Sequence, residues 1–383
     1  MSQQDEKKAT NTNYALQSKS SGTALKLPDL DYRPARTDHY QPKIGLIGCG
    51  GISAEHLKAY RNAGFEVVAF ADQQPEKATQ RRDEFYPDAK VYPDSASLLS
   101  QADIDIVDIT THPQDREGLI EDALRADKHV LSQKPFVTDL EVGRRLCQLA
   151  DEKNRLLAVN QNGRWAPWVS WMRAAIAEGL IGEVASVDAL IAWDHTWVKG
   201  THFENFPSLV LYDFAIHWFD MLHCYTRGQR ALEVYATTTH APGQNVQPPL
   251  LAQVSVQLEH CQATLAFRGS SLWGPVNQTH ITGSQGTLHS QGEGLEEQTI
   301  TVSCEEGQGS PQLEGSWFPG GFDGAMSELI FSIDQQRQPT NSGRDNLAAL
   351  EFCFAAIRSA ESGKPVAVGE VSRLKPAWIN PTN

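Results

Sequence analysis

At 383 residues the chain is longer than one hydrophobic core usually serves, which predicts two domains and excludes a single small module. An apolar share of 40% and a charged share of 21% belong to a folded enzyme rather than a disordered or fibrous chain. The formal net charge of -14, with no long Lys/Arg run to offset it, repels phosphate backbones and anionic headgroups, so nucleic acid and membrane are excluded as partners.

The N-terminus lacks the apolar core of a secretory signal, and no stretch approaches the roughly 18 consecutive apolar residues of a membrane span, so a cytoplasmic protein is expected. Six scattered cysteines without a CxxC pair (Cys49, Cys147, Cys224, Cys261, Cys304 and Cys353) read as reduced, packed thiols rather than a disulfide framework or zinc site. Residues 1–40 are expected as a peripheral or disordered tail, because the Ser, Thr, Gln and Lys of the first part show no apolar periodicity.

The run Lys43-Ile44-Gly45-Leu46-Ile47 predicts a strand, Gly48-Cys49-Gly50-Gly51 a turn, and the pattern through Ala63 a helix. A second strand, Glu66 to Ala71, ends on Asp72, and Pro75 opens a polar helix. Alternation continues with strands at 105–109, 129–131 and 156–161 and helices at 114–126 and 139–154, which predicts an α/β fold with a doubly wound parallel Rossmann sheet over residues 41–162. From Val184 onward the texture is strand after strand, at 184–194, 232–240, 251–258, 261–269, 278–290 and 299–304. Helices are predicted at 212–227, 323–336 and 344–362. Residues 163–383 are therefore expected as a C-terminal α+β domain with an open, mainly antiparallel sheet for substrate binding and oligomerisation.

A glycine turn between strand and helix lets the backbone approach a pyrophosphate, whose charge the helix N-terminus attracts. Gly48, Gly50 and Gly51 form such a turn, with Ser53 at the third fingerprint position. Roughly 20 residues further on, the Asp72 carboxylate can accept hydrogen bonds from ribose hydroxyls and repel a 2′-phosphate, so NAD is expected over NADP. Arg81 and Arg82 nearby are read as a solvated helix face.

The segment Gln133-Lys134-Pro135 places a cation just beyond the carboxyl end of a parallel strand, where ligands bind in open α/β sheets. Together with the Gly48 turn, the run Asp72 to Ala78, the Arg164 segment and the helix Tyr212-Asp213-Phe214-Ala215-Ile216-His217-Trp218-Phe219-Asp220, it resembles the Gfo/Idh/MocA family of glucose-fructose oxidoreductases and inositol dehydrogenases, over residues 43 to about 368. Asp213 and His217 are four apart and are expected to share a helix face. Oxidising a secondary alcohol needs a base for the hydroxyl proton with a pKa near neutrality, which suits His217. The resemblance implies that Lys134 stabilises the developing alkoxide and that Asp213 orients a neighbouring hydroxyl or the imidazole.

The expected cofactor contacts are Gly48, Gly50, Gly51, Ile52, Asp72, Thr110, Thr111, His112, Gln133, Lys134 and Gln161. The expected substrate contacts are Arg164, Trp193, His195, Asp213 and His217, with Trp197, Lys199 and His202 as further candidates. No metal is expected, although Asp213, His217, Asp220 and His223 share helical spacing, because the family's chemistry needs none. Gln133 replaces the family glutamate, removing a charge beside Lys134, and Ala215 replaces the helix glycine. The resemblance implies an NAD-dependent sugar or polyol dehydrogenase. Two alternatives stand beside it: glycoside cleavage through transient oxidation, and a dinucleotide-binding sensor without turnover. An exposed apolar sheet face is expected to be buried in a homodimer or homotetramer.

Overall fold

The computed structural model describes residues 22–295 and 297–379. Strands β1 (Lys43–Ile47), β2 (Glu66–Ala71), β3 (Lys90–Tyr92), β4 (Ile106–Ile109), β5 (His129–Gln133) and β6 (Leu157–Asn160) alternate with helices α1 (Ser53–Ala63), α2 (Pro75–Phe85), α3 (Ser95–Gln101), α4 (Pro113–Arg125) and α5 (Leu140–Glu152). The six strands pair in parallel in the order β3-β2-β1-β4-β5-β6. Strand order reverses between β1 and β4, which opens a crevice at their carboxyl ends. The central strands are mostly apolar because helices cover both faces, and β4 and β6 are buried throughout, including their polar members Asp108 and Asn160. The sequence reading missed β3 and α3, since three and seven residues are too few to show a period.

The second half contains α6 (Pro167–Ala177), β7 (Val184–Ala192), α7 (Ile216–Tyr225), β8 (Ala231–Thr239), β9 (Leu251–Leu258), β10 (Gln262–Arg268), β11 (Val276–Gly283), β12 (Gly286–Gly292), β13 (Gln298–Cys304), β14 (Gly307–Gly309), α8 (Gly320–Asp334), α9 (Gly343–Ser362) and β15 (Val366–Ala367). They build one sheet ordered β14-β13-β12-β11-β7-β10-β9-β8-β15, antiparallel except where β7 meets β10. The single strand expected at 278–290 is a hairpin, β11 turning into β12 through Gly283-Ser284-Gln285-Gly286. Both glycines sit where a side chain would press on backbone oxygens, of Ile181 at 2.1 Å and of Ser303 at 2.8 Å.

Three further expectations are corrected. First, the part of the N-terminal segment within the described residues is not a loose tail. Leu30 and Tyr32 are buried, Leu25 N–H donates to Gln308 on β14 at 2.7 Å, and Arg36 pairs with Asp323 at 2.5 Å. The remainder of that expectation, residues 1–21, lies outside the described residues. Second, α8 belongs by packing to the first half, although it lies past residue 163. Its Phe322, Met326, Leu329 and Ile330 share one core with Ile44, Leu46, Leu57 and Tyr60. Third, the outward face of the large sheet carries Glu233, Tyr235 and Thr237 on β8, Gln253, Ser255 and Gln257 on β9, and His280 on β11. That face is mostly polar, so the apolar-surface argument for a homodimer or homotetramer does not hold.

Candidate active site

The glycine turn after β1 needs its glycines for different reasons. Gly48 has φ +92°, and a Cβ there would lie 2.8 Å from the Thr111 side chain and 3.1 Å from its nitrogen. At Gly50 and Gly51 a Cβ would meet nothing within 4 Å, so the space before the turn is open to a close-approaching ligand. Helix α1 starts there without a side-chain cap; Ala54 and Glu55 N–H turn back onto the Gly51 and Ile52 carbonyls, and the positive end of the helix dipole faces the turn, where it favours an anion. At the end of β2, Asp72 Oδ2 accepts Cys49 N–H at 2.6 Å and Oδ1 accepts Gln74 N–H at 2.8 Å. These bonds lock the carboxylate in place, while its other lone pairs stay free for hydroxyl groups. Arg81 is not on a solvated face: its guanidinium braces the turn, donating to Ser53 Oγ at 3.2 Å and to the Gly50 carbonyl at 3.4 Å.

Two cavities, of about 250 and 520 Å³, run along the carboxyl ends of the parallel strands and share Gly50, Thr110, Thr111 and His112, which makes them one cleft. Gly48 and Asp72 line the smaller lobe. The larger brings together Gly50, Gly51, Ile52, Thr110, Thr111, His112, Gln133 and Lys134 from the first half with Trp193, His195, Trp197, Asp213 and His217 from the second. An elongated cleft with an open glycine cradle midway and a fixed carboxylate at one end fits a dinucleotide.

Lys134 leaves β5 and donates through Nζ to both the backbone oxygen of Asp213, at 3.0 Å, and its Oδ1, at 3.1 Å. The expected unbroken helix over 212–227 is instead a π-helical turn, Val210–Phe214, followed by α7. Such turns shift helical phase and recur at functional sites. Here Asp213 meets Lys134 in an ion pair rather than the His217 ring, one of the two groups it was expected to orient beside a substrate hydroxyl. His217 stands edge-on to Trp317, with ring centroids 5.3 Å apart. Its Nδ1 is buried without a partner among the described residues, so the ring meets the cavity through its other edge. Burial, then the Lys134 charge, holds its pKa well below the ordinary histidine value, so the ring is a neutral acceptor.

A network beneath this site was missed from sequence. His56 on α1 is fully buried, its Nδ1 2.8 Å from Asp108 Oδ2 and its Nε2 2.9 Å from Gln133 Nε2 and 3.0 Å from Asn160 Nδ2. Gln133 Oε1 accepts Lys134 N–H at 2.6 Å, so the amide nitrogen must be the atom facing His56. The carboxylate of Asp108 fixes the His56 proton on Nδ1, leaving a lone pair that an amide can satisfy and a carboxylate cannot. That is a physical reason for glutamine at 133. The available signal was a histidine on the apolar face of α1 with Leu57 and Tyr60. Arg116 is likewise buried and clips the loop beyond β5, donating to the carbonyls of Thr111, Gln133 and Pro135; burial lowers its pKa to about 10.

Other candidates are not brought to the cleft. Arg164, expected to touch substrate, is wholly buried, with Nε and Nη2 donating to Asp220 at 2.6 Å each and Nη2 pairing with Asp345 at 2.7 Å. Its place is in the protein interior, and the substrate assignment is withdrawn. Gln161 is buried away from the cavity lining. Lys199 is exposed, and His202 packs on His112 with centroids 4.8 Å apart. The helical quartet considered for a metal is dispersed: Asp213 partners Lys134, Asp220 partners Arg164, and His223 partners Asp345 at 3.1 Å.

Residues 42–161 match the model of an oxidoreductase family with an NAD-binding Rossmann fold, and residues 169–289 match the GFO/IDH/MocA C-terminal domain. Among curated relatives, a D-apiose dehydrogenase from Paraburkholderia graminis is 26% identical over 88% of this chain and 92% of its own length. An inositol 2-dehydrogenase from Rhizobium meliloti is 25% identical over 85% of this chain and 99% of its own. Among solved structures, an Agrobacterium radiobacter oxidoreductase in complex with NAD+, L-tartaric acid and magnesium superposes with a TM-score of 0.77 at 23% identity, covering 86% of this chain and 99% of that one.

Proposed function

This chain belongs to the GFO/IDH/MocA oxidoreductase family, and from that premise we propose that it moves hydride between NAD(H) and a ring secondary alcohol or ketone of a sugar, inositol or glycoside. The observation that carries the reading is the meeting of Lys134, from the end of a parallel strand, with Asp213 and His217, from the other half of the chain, on one cavity. The named activities of the relatives, on apiose and inositol, support a cyclic polyol as substrate.

Bound NAD+ supplies a hydride acceptor in the cleft. The chain's own residues supply the rest. Lys134 donates to the reacting hydroxyl and offsets charge as the oxygen loses its proton. His217, neutral before the reaction, takes that proton and returns it in the reductive direction. Asp213 holds the ammonium in place through two hydrogen bonds. The apolar walls keep bulk water from the reacting atoms, which strengthens both effects. The test is a panel of polyols and glycosides with NAD+, followed by absorbance of reduced nicotinamide. At least one should turn over, and a flat response across cyclic polyols, glycosides and the corresponding ketones with NADH would overturn the reading.

Asp72 provides a separate prediction. Asp72→Asn keeps one of the two acceptors that hold the turn, sets an amide NH2 against the other backbone N–H and removes the charge, and should weaken NAD+ by roughly tenfold or more while narrowing the preference over NADP+. Titration followed by tryptophan fluorescence reads both, and unchanged affinities would take Asp72 out of the cofactor site.

A further inference from the structure

We propose that the substrate of this site is a glycoside whose sugar carries an aromatic aglycone, the aglycone lying on an aromatic wall that leads from His217 to the mouth of the cleft. The inference rests on the dehydrogenase reading above and names its substrate class.

The wall is continuous. Trp317 stands 5.3 Å from His217 and 5.9 Å from Trp218, which in turn is 5.8 Å from Trp193, all between ring centroids. Trp193 stacks on His195 at 5.5 Å, His195 lies 4.2 Å from Phe214, Phe214 is 6.1 Å from Trp197, and Trp197 is 5.8 Å from Phe203. All of these rings line the larger cavity. At its outer end Trp197 is 54% exposed, a large apolar face left open at the rim.

Three of the hydrogen-bonding side chains along the wall, Trp193, His195 and Trp317, are already engaged. Trp193 Nε1 donates to His195 Nε2 at 2.7 Å, and the His195 Nδ1 edge faces the Trp193 carbonyl at 3.3 Å. Both nitrogens of His195 are thereby used, and burial lowers its pKa to about 4, so it offers no charge. Trp317 Nε1 donates to Asn162 Oδ1 at 3.3 Å. A polyhydroxylated ring placed there would exchange many hydrogen bonds to water for few to the protein, which opposes binding. The polar groups able to receive a sugar gather at the inner end, around Lys134, Asp213 and His217. A ligand matched to both regions has a hydroxylated ring at the reacting position and a flat apolar group extending outward. The larger cavity, at about 520 Å³, is shared between the cofactor, on the side of Gly50, Thr110 and His112, and the glycoside, on the side of the aromatic wall.

The experiment compares methyl and phenyl β-glycosides of glucose, galactose and xylose, with cellobiose as a probe for a second sugar. Affinity for the NADH-loaded protein is measured by calorimetry, and turnover with NAD+ in parallel. At least one phenyl glycoside should bind tenfold or more tighter than its methyl partner, with the advantage in turnover appearing in KM. Trp197→Ala, at the exposed rim where folding is least at risk, should bring the phenyl-to-methyl ratio close to one. Equal binding of every methyl and phenyl pair, or cellobiose binding more tightly than phenyl glucoside, would overturn the aglycone assignment. Equal turnover of methyl and phenyl glycosides would also overturn it while leaving the dehydrogenase reading intact. A phenyl preference in binding with no hydride transfer would do the opposite.

Discussion

Lys134→Met is expected to lower kcat by roughly a hundred to a thousandfold, as removing one preorganised donor to a developing oxyanion does, with NAD+ affinity held within a few-fold. Its second signature is a pH shift with a definite sign. His217 acts as base in its neutral form, which persists above its pKa and is lost as pH falls through it. Burial and the Lys134 charge both lower that pKa. Wild-type kcat/KM should therefore hold its plateau to below pH 6.5, the ordinary histidine value. Without the ammonium one of the two causes is gone, and the acid limb should move upward, stopping short of the ordinary value because burial remains. His217→Ala should lose roughly a hundred to ten-thousandfold and abolish that limb. An acid limb at the same pH in wild type and Lys134→Met would mean that another group titrates, and the base would have to be sought elsewhere.

Much of this site was legible in the sequence because its parts lie where local pattern and topology coincide. A glycine turn between an apolar strand and a helix, a carboxylate closing the next strand and a lysine at the end of a later one are each tied to a strand terminus, and parallel strands deliver their termini to one edge. The fold class followed from the same alternation. Features fixed by tertiary neighbours were not legible. Nothing near Arg164 in the sequence announces Asp220 and Asp345, so a buried structural arginine was read as a ligand contact. The π turn at Val210–Phe214 breaks a spacing that looks regular on paper. The aromatic wall draws on residues from 193 to 317, and only its first members stood close enough together to be noticed. His56 looked like one more residue of an amphipathic helix, yet it decides which atom of Gln133 can face it.

Arg164 carries the largest expected effect on stability. The residue follows β6 and reaches Asp220 on α7 with two parallel hydrogen bonds, Asp345 on α9 with a third contact and the Thr340 carbonyl with a fourth. It thus joins three segments with no exposure to solvent. Burial would raise the Asp345 carboxyl, but His223, Arg164 and Arg227 together hold it well below the usual range, so it is charged at neutral pH. Arg164→Met leaves Asp220, itself 1% exposed, without its main partner. A stranded buried charge costs about 3–5 kcal/mol, whereas replacing a whole buried pair by apolar groups is often close to neutral. Arg164→Met should therefore lower the thermal midpoint sharply, and Arg164→Met/Asp220→Leu should be less destabilised than the single variant. Because His217 lies one turn before Asp220 on α7, loosening this anchor should reduce kcat through misplacement of the ring. A variant with wild-type thermal stability and a raised KM alone would instead return Arg164 to the substrate.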